Sequence, residues 1–393
     1  MNTILISISG GPDSISLMLL LYSILKDTNI IILSVTIDHK IQKNLSLEYK
    51  RLFNYFKFFR IEYYIINWEY KFLKKNKQFS SRNARYNLLY KFCIKKKIKY
   101  LFVAHHNNDL IETILLNILR GSGVDGLVPM NYKCKLYYIK IIRPLLLLCK
   151  KHLIKYINKK QILWNTDLSN QNINFYRIKI RNFLNFLYKE FFLIKKINLL
   201  NNNAYRCRIF LENYTKKIFY KYCYFGYYGE IYLEYNIFLQ LYDEIFLRLF
   251  NIIIRYINQS YIYPQSLKNI NNIFYFFKNY FIRKITLSNC MICKYNKIIL
   301  FFKERKFIEK LHLIKNYNYI WDNRYYLFIK KKNFKIKKLN TFYLNKKIKR
   351  KFIQSILVLI IKTTPIIINE KNHYINPFYM SYYKIILKHL NKI

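Results

Sequence analysis

The sequence predicts an α/β protein: a doubly wound parallel sheet, then a mainly helical part, then a small α+β part at the C-terminal end. Three observations lead there. Up to about residue 190, short β-branched apolar runs alternate with longer segments that are apolar at helical spacing, the order expected of a parallel sheet with helices on both faces. From 191 to roughly 315, long aromatic and aliphatic stretches are broken by Asn and Lys, which reads as mainly helical. From 316 to 393 the segments shorten, look more strand-like and carry dense Lys, as in "KKKNFKIKK" and "NKKIKRK". The domain boundaries expected on this basis are 1–190, 191–315 and 316–393, with no clear linker and no internal repeat.

The elements of the first part can be placed in order. Strands are expected at 3–8, 30–37, 61–66 and 100–104, where Ile, Leu, Val and Tyr run together. Helices are expected at 14–26, 43–59, 80–96, 109–120 and 150–160, where apolar residues recur every three or four positions. "GSGVDGLVPM" is rich in turn formers and reads as a loop.

Composition narrows the function class. Lys and Arg total 69 against 20 Asp and Glu, a formal charge of +49, which points to a polyanion and first of all to nucleic acid. The chain is also crowded with Lys, Asn, Ile, 40 Tyr and 31 Phe, residues with AT-rich codons, so drift alone supplies part of the basicity. That bias fits a reduced bacterium or an organelle genome. No apolar run reaches the roughly 18 residues of a membrane span, and the N-terminal residues lead directly into a strand, so neither a membrane span nor a signal peptide is expected. Seven scattered cysteines suit a reducing compartment, and the expected location is cytoplasmic, or the matrix or stroma if the gene belongs to an organelle.

Against such drift, rare residues stand out. Five of the 7 glycines fall in two short stretches, Gly10 and Gly11, then Gly121, Gly123 and Gly126. Arg numbers 16 against 53 Lys, and Lys does not replace a planar two-pronged donor. Arg82, Arg85, Arg120, Arg143, Arg177 and Arg181 therefore single themselves out.

"SISGGPDSIS" places Ser9, Gly10, Gly11, Pro12, Asp13 and Ser14 between the first strand and the first helix. In a doubly wound sheet that is where ligands bind, and a helix N-terminus there favours an anion. Asp13 would suit a phosphate site if Mg²⁺ lay between them. The plainer possibility is an ordinary turn in which Asp13 and Ser14 cap the helix. Further on, "AHHNNDLIET" sets His105 and His106 at the end of the fourth strand, with Asp109 and Glu112 three residues apart on one face of the next helix. Two carboxylates there can hold an ammonium group or a metal, or merely complement the helix dipole.

"SGGPDS" resembles the PP-loop of the N-type ATP pyrophosphatases, which cleave ATP between the α and β phosphates. "AHHNNDLIETILLNILRGSGVDGL" closely resembles the signature of tRNA(Ile)-lysidine synthetases. Other pieces are similar to that family in the same order: "TIDHK" with Asp38 and His39; "SSRNARY" with Arg82, Arg85 and Tyr86; "RPLL" with Arg143; and "TDLSNQNINFYRIKIRN" with Asp167, Ser169, Asn170, Arg177 and Arg181. Together they span most of residues 3–182. There are departures: Asn108 stands where the family usually has Asp, "His-Gly-Leu-Arg" has become His39-Lys40-Ile41-Gln42, and Ile178 replaces an Asn. Lys40 or Lys43 would have to serve what the lost Arg contacts. More loosely, "NKKIKRKFIQ" and "TTPIII" look like the family's C-terminal domain, a Lys-rich helix before a strand with Pro365.

The resemblance implies a PP-loop ATPase fold and a two-step reaction on the wobble cytidine of the isoleucine tRNA with anticodon CAU. ATP adenylates the C2 carbonyl oxygen and pyrophosphate leaves; the ε-amine of free lysine then attacks C2 and AMP departs with the oxygen. Ser9, Gly10, Gly11, Pro12, Asp13, Ser14, Asp38 and His39 would hold ATP, with Mg²⁺ at Asp13. Asp109 and Glu112 would bind the lysine ammonium, one of them or His106 would take its proton, and Arg85 and Arg181 would face developing phosphate charge or the anticodon backbone. The resemblance also implies a homodimer. Two rivals come from neighbouring classes: a PP-loop tRNA cytidine thiolation enzyme with an iron–sulfur cluster, and a degenerate tRNA-binding protein. "CMIC" at 290–293 lies outside the catalytic part and is expected to be two free thiols, which disfavours the first.

Overall fold

A computed structural model describes residues 2–38, 45–68, 77–136, 138–162, 164, 179–181, 183–184, 191–258, 267–279, 284–295, 297–308, 311–314, 318–322, 324–328, 334–338, 359–360, 362–368, 374–375 and 385–387. The chain divides into two units, Met1–Arg208 and Ile209–Ile393.

The first unit is built on a six-stranded sheet in the order β3-β2-β1-β4-β6-β5. Its strands are β1 (Asn2–Ser7), β2 (Ile30–Asp38), β3 (Glu62–Asn67), β4 (Tyr100–Phe102), β5 (Lys133–Leu136) and β6 (Ile139–Ile142). All neighbours pair in parallel except β5 with β6, an antiparallel hairpin at the edge. The helices are α1 (Pro12–Leu25), α2 (Leu45–Phe58), α3 (Lys77–Lys95), α4 (Asn107–Leu119), α5 (Val124–Leu127) and α6 (Lys150–Lys159). Four strands and five helices lie within a few residues of their sequence-based positions. The β5–β6 hairpin was not expected, because two four-residue strands are too short to show a period.

Strand alternation sorts the core into two layers. Ile4, Ile6 and Ile8 pack with Leu17, Met18 and Leu21 of α1, Leu52 and Phe56 of α2, and Leu153 and Ile157 of α6. Leu5, Val35, Ile37 and Leu101 point the other way, onto Leu89 and Cys93 of α3. The chain runs from β1 to β2 to β3 on one side, then crosses back to lay β4 on the other side of β1. The carboxyl ends of β1 and β4 are thus the topological switch point, where a doubly wound sheet opens a crevice. The loops leaving those two strands carry "SGGPDS" and "AHHNND".

Beyond α6 lies α7 (Phe191–Tyr222), within which the two units divide. In the first unit, Ile194 and Ile197 of α7 join Leu110, Ile111 and Ile114 of α4 and Ile180 and Leu184 in one buried cluster. That cluster fixes the stretch carrying Arg181. The second unit holds the helices expected between 191 and 315: the rest of α7, α8 (Tyr235–Gln240), α9 (Asp243–Asn258) and α10 (Leu267–Asn279). It also holds a five-stranded antiparallel sheet, with strands at Cys223–Phe225, Ile231–Glu234, Lys284–Leu287, Cys290–Tyr295 and Ile298–Lys303, which the mainly helical expectation lacked. Those strands are too short to show a period, and Ile298–Lys303 is buried on both faces. Further antiparallel strands follow, among them Pro365–Ile368 with proline at its first position. The Lys-rich run 345–354 lies outside the described residues.

Candidate active site

The first loop is shaped by glycine at one position. Gly10 has φ +81, a left-handed conformation that a side chain would strain. Gly11 is the N-cap of α1 and gives it no side-chain cap, and Pro12 begins the helix. Ser9 donates its backbone N–H to Ser14 Oγ at 3.2 Å, and Ser14 Oγ donates back to Gly11 O at 3.0 Å. The hydroxyls thus brace the loop, and neither Asp13 nor Ser14 caps the helix at Gly11. The plain capping explanation of Asp13 therefore fails. Asp13 Oδ1 is buried without a hydrogen-bond partner among the described residues, an orphaned charge-bearing oxygen at a helix N-terminus.

The second loop meets it. His106 is the N-cap of α4 and forms a reciprocal capping box with Asp109. His106 Nδ1 accepts from the Asp109 backbone N–H at 3.4 Å, and Asp109 Oδ2 accepts from the His106 N–H at 3.2 Å. Here the structural explanation of Asp109 as a helix-start residue holds. In the neutral ring the lone pair of Nδ1 is used, so the proton sits on Nε2. Nε2 stands 3.5 Å from Asp13 Oδ2 and 3.7 Å from Asp109 Oδ2. One imidazole therefore links the glycine loop to the acidic helix start.

Glu112, one turn further along α4, is buried with its side chain 4% exposed. Arg181 grips both of its oxygens, Nε to Oε1 at 2.8 Å and Nη2 to Oε2 at 3.2 Å. Asp109 and Glu112 share a helix face as expected, but they have different partners in this structure. The expectation missed the Arg181–Glu112 pair; the scarcity of Arg signalled Arg181 without naming its partner.

Charge balance in the cluster follows. Burial pushes the Asp13 carboxyl up, but the hydrogen bond and charge of His106, with Lys150 and Arg181 behind, outweigh it and hold the group below its ordinary value. Burial pulls His106 down, but the hydrogen bond to Asp13 and the carboxylates of Asp109 and Asp13 win over it and over Lys150, leaving the imidazole raised. Arg181 is held up first by its hydrogen bond to Glu112, against burial, and then by the charges of Glu112, Asp109 and Asp13.

Neighbouring residues hold this arrangement. Asn108 Oδ1 accepts from the backbone N–H of Lys150, capping α6, so the Asn that departs from the family pattern keeps a structural task. Asn107 and Asn198 exchange amide bonds at 3.0 and 3.4 Å. Arg143 is buried, donating to Asn131 O at 2.9 Å and to His105 Nδ1 at 3.4 Å. In the glycine stretch, Gly121 has φ +67, and a Cβ on Gly126 would lie 2.2 Å from Ser122 Cβ. Arg208 holds that stretch through Val128 O at 3.0 Å and Asp125 Oδ1 at 3.3 Å.

Asp38 ends β2, next to the glycine loop in the sheet order. Arg85 sits half-buried on α3, 5.6 Å from the Tyr86 ring centre. His39, Asp167, Ser169, Asn170 and Arg177 lie outside the described residues, as does the side chain of Arg82. No described group of three or more His, Cys, Asp or Glu could hold a metal unaided. Cys290 and Cys293 enter separate buried clusters from opposite faces of their strand, so they cannot grip one ion together. Among the described residues, no helix is long and apolar enough to cross a membrane. A groove of about 780 Å³ between the C-terminal halves of α1 and α2 and the end of α6, lined by Tyr22, Phe58, Phe59 and Tyr156 among others, lies at the other end of α1 from Asp13.

Comparison with known proteins agrees with this geometry. A family model described as a PP-loop domain matches residues 1–187. A tRNA(Ile)-lysidine synthase from Wolbachia pipientis wMel is 34% identical over 338 residues, covering 82% of this chain and 76% of the relative. One from Rickettsia prowazekii (strain Madrid E) is 26% identical, with 83% and 75% covered. Among solved structures, the U34-tRNA thiolase NcsA from Methanococcus maripaludis aligns with a TM-score of 0.43 and 18% identity over 51% of this chain and 74% of its own, too loose to bear on activity. With a PP-loop domain at its start and a relative of this identity spanning most of both chains, the chain belongs to the tRNA(Ile)-lysidine synthase family.

Proposed function

We propose that this chain joins lysine to C2 of the wobble cytidine in the CAU-anticodon isoleucine tRNA, at the expense of ATP, in the cytoplasm. The observation that carries the proposal is the meeting of Asp13 with Asp109 across His106, at 3.5 and 3.7 Å. A nucleotide site and an amino-acid site need to share one crevice for this chemistry, and the switch point between β1 and β4 supplies it.

The loop at 9–14 takes the ATP phosphates, on the backbone amides at the uncapped start of α1. Asp13 Oδ1, buried and unpartnered among the described residues, fits a Mg²⁺ ion as a hard anionic ligand. When bound, the ion would neutralise phosphate charge, and Asp13 would hold it. Asp38 lies close enough in the sheet order to help frame the nucleotide, with His39 and Arg85 assigned to the same task on family grounds.

The target cytidine must leave its stack to reach the crevice. Asp109 offers the ammonium of free lysine a carboxylate with some exposure. Glu112 can share it only if Arg181 lets go of one oxygen. The amine must be neutral to attack, and its proton passes to Asp109, because both ring nitrogens of His106 are already engaged. Arg181, placed among three carboxylates, and Lys150, whose charge reaches Asp13, are the cations at hand for charge developing on phosphate. The part of the chain after about residue 190 grips the tRNA, and a homodimer belongs to the same proposal.

A pyrophosphate-release assay with ATP, lysine and the transcribed tRNA tests the proposal. Release is expected only when the tRNA is present. AMP and lysidine are expected to accumulate only with lysine. ATP turnover unaffected by leaving out the tRNA would overturn it. An iron–sulfur absorbance in the purified protein would favour thiolation instead.

A further inference from the structure

We propose that the solvent face of α7 within the second unit is a base-stacking site for RNA. It deepens the tRNA part of the function above, in naming the surface that does the gripping. Between 209 and 222 the helix has two faces. Ile218 and Phe219 are buried in the core of the unit, with Leu211 and Tyr222 packed against it, and Thr215 is fully buried beside them. The opposite face carries Phe210, Asn213, Tyr214, Lys217 and Tyr220, at spacings of three, four, seven and ten from Phe210, with Lys216 alongside. These six residues line a groove of about 540 Å³. Phe210 is 67% exposed, Tyr220 59% and Tyr214 43%.

The Phe210 and Tyr214 rings are nearly parallel, 8° apart with centres at 6.1 Å. Two exposed rings stacked one helical turn apart form a short aromatic stack that an unpaired base can extend. Unpaired bases stack on such faces whatever their sequence. Lys216 and Lys217 lie exposed beside the rings, Lys221 is exposed at the end of the helix over the Tyr222 ring, and Glu212 is the acid in this stretch, so the surface is positive where a phosphate backbone would run. A second copy of the chain is the poorer occupant: in a two-fold contact this lysine-rich face would meet a copy of itself, in a chain of net charge +49.

The test uses the full-length chain and two probes, the CAU-anticodon isoleucine tRNA and an unrelated tRNA, each labelled for fluorescence anisotropy over a salt series. Phe210→Ala/Tyr214→Ala is expected to weaken binding of the isoleucine tRNA about tenfold, with little change in salt slope. Lys216→Ala/Lys217→Ala is expected to lower the slope of log affinity against log salt by about 1–2. Thermal unfolding within about 2 °C of wild type would confirm that these exposed substitutions leave the fold intact. Wild-type affinity in both variants overturns the site, as does failure of the wild-type chain to bind either RNA. A variant that changes only the monomer–dimer balance also overturns it, and makes the stripe a contact between copies. Lysidine formation, followed in the same samples, separates the two proposals. Lysidine made while both variants bind normally removes the stripe alone. No lysidine, with binding weakened in the variants, removes the activity alone.

Discussion

Replacing Arg181 with Ala should destabilise the first unit by more than the loss of a surface ion pair. Glu112 is 4% exposed, whereas Arg181 is 35% exposed, so the carboxylate is the desolvated partner and the guanidinium is partly wetted. Breaking a fully buried pair from one side costs about 3–5 kcal/mol because a buried charge is left uncompensated. Water at the outer edge of Arg181 screens part of that, so about 2–3 kcal/mol is expected here. For a unit of this size each kcal/mol moves the midpoint by about 2–4 °C, so the unfolding temperature should fall by about 5–10 °C. The double variant Arg181→Ala/Glu112→Gln should recover much of that loss, because it removes the stranded carboxylate as well. Circular dichroism melts of the four proteins in the cycle give the coupling directly. Additive single losses, or an Arg181→Ala midpoint within about 1 °C of wild type, would refute the pairing as an energetic feature.

Further expectations concern the same site. Asp13→Asn should lower tRNA-dependent pyrophosphate release by about a hundredfold or more while leaving circular dichroism unchanged; retained release would remove Asp13 from the phosphate site. The Asp13–His106 pair should make stability pH-dependent in a defined window. The raised imidazole contributes fully below its unfolded value near 6.5 and loses that contribution as pH rises through its folded value, while the lowered carboxyl contributes above about 3.8 and loses it as pH falls. The stability difference between wild type and His106→Gln should therefore be largest in mildly acidic solution and shrink toward alkaline pH; a flat difference in urea titrations would contradict it. Gly126→Ala should destabilise by about 1–3 kcal/mol, since its Cβ would lie 2.2 Å from Ser122 Cβ, and Ser122→Gly in the same chain should restore part of the loss. Burial pushes the Cys293 thiol up to about 11 and Cys290 higher still, so thiol reagents at neutral pH should modify exposed Cys207 long before either; prompt modification of Cys290 or Cys293 would contradict their burial.

Much of the catalytic half was legible because local and global signals coincide there. The runs that became β1 and β2 are β-branched and flanked by helical periodicity, and Gly10 and Gly11 mark a turn in a chain that otherwise avoids glycine. Asp13 was singled out for its odd company with a phosphate loop, and the structure leaves it without the capping task that would have explained it otherwise. The pairings were not legible. Arg181 reaches Glu112 across 69 positions, and Asn107 reaches Asn198 across 91; nothing in spacing announces such contacts. The reciprocal capping box of His106 and Asp109 was within reach of the local pattern, but histidine is an uncommon N-cap and gave no cue. In the second unit the five strands escaped because each is too short to show a period, burial on both faces erases alternation in Ile298–Lys303, and the same aromatic richness that reads as helix also fills a sheet.

The central claim is that the glycine loop and the acidic start of α4 serve one crevice, in which a nucleotide activates a pyrimidine for attack by an amine. The most direct measurement is mass analysis of the wobble nucleoside after the isoleucine tRNA is incubated with the chain, ATP and isotopically labelled lysine. A single labelled lysine on that cytidine in wild type, lost in both Asp13→Asn and Asp109→Asn, is the predicted result. An unmodified cytidine while ATP is consumed, or full labelling in the Asp109 variant, would contradict it.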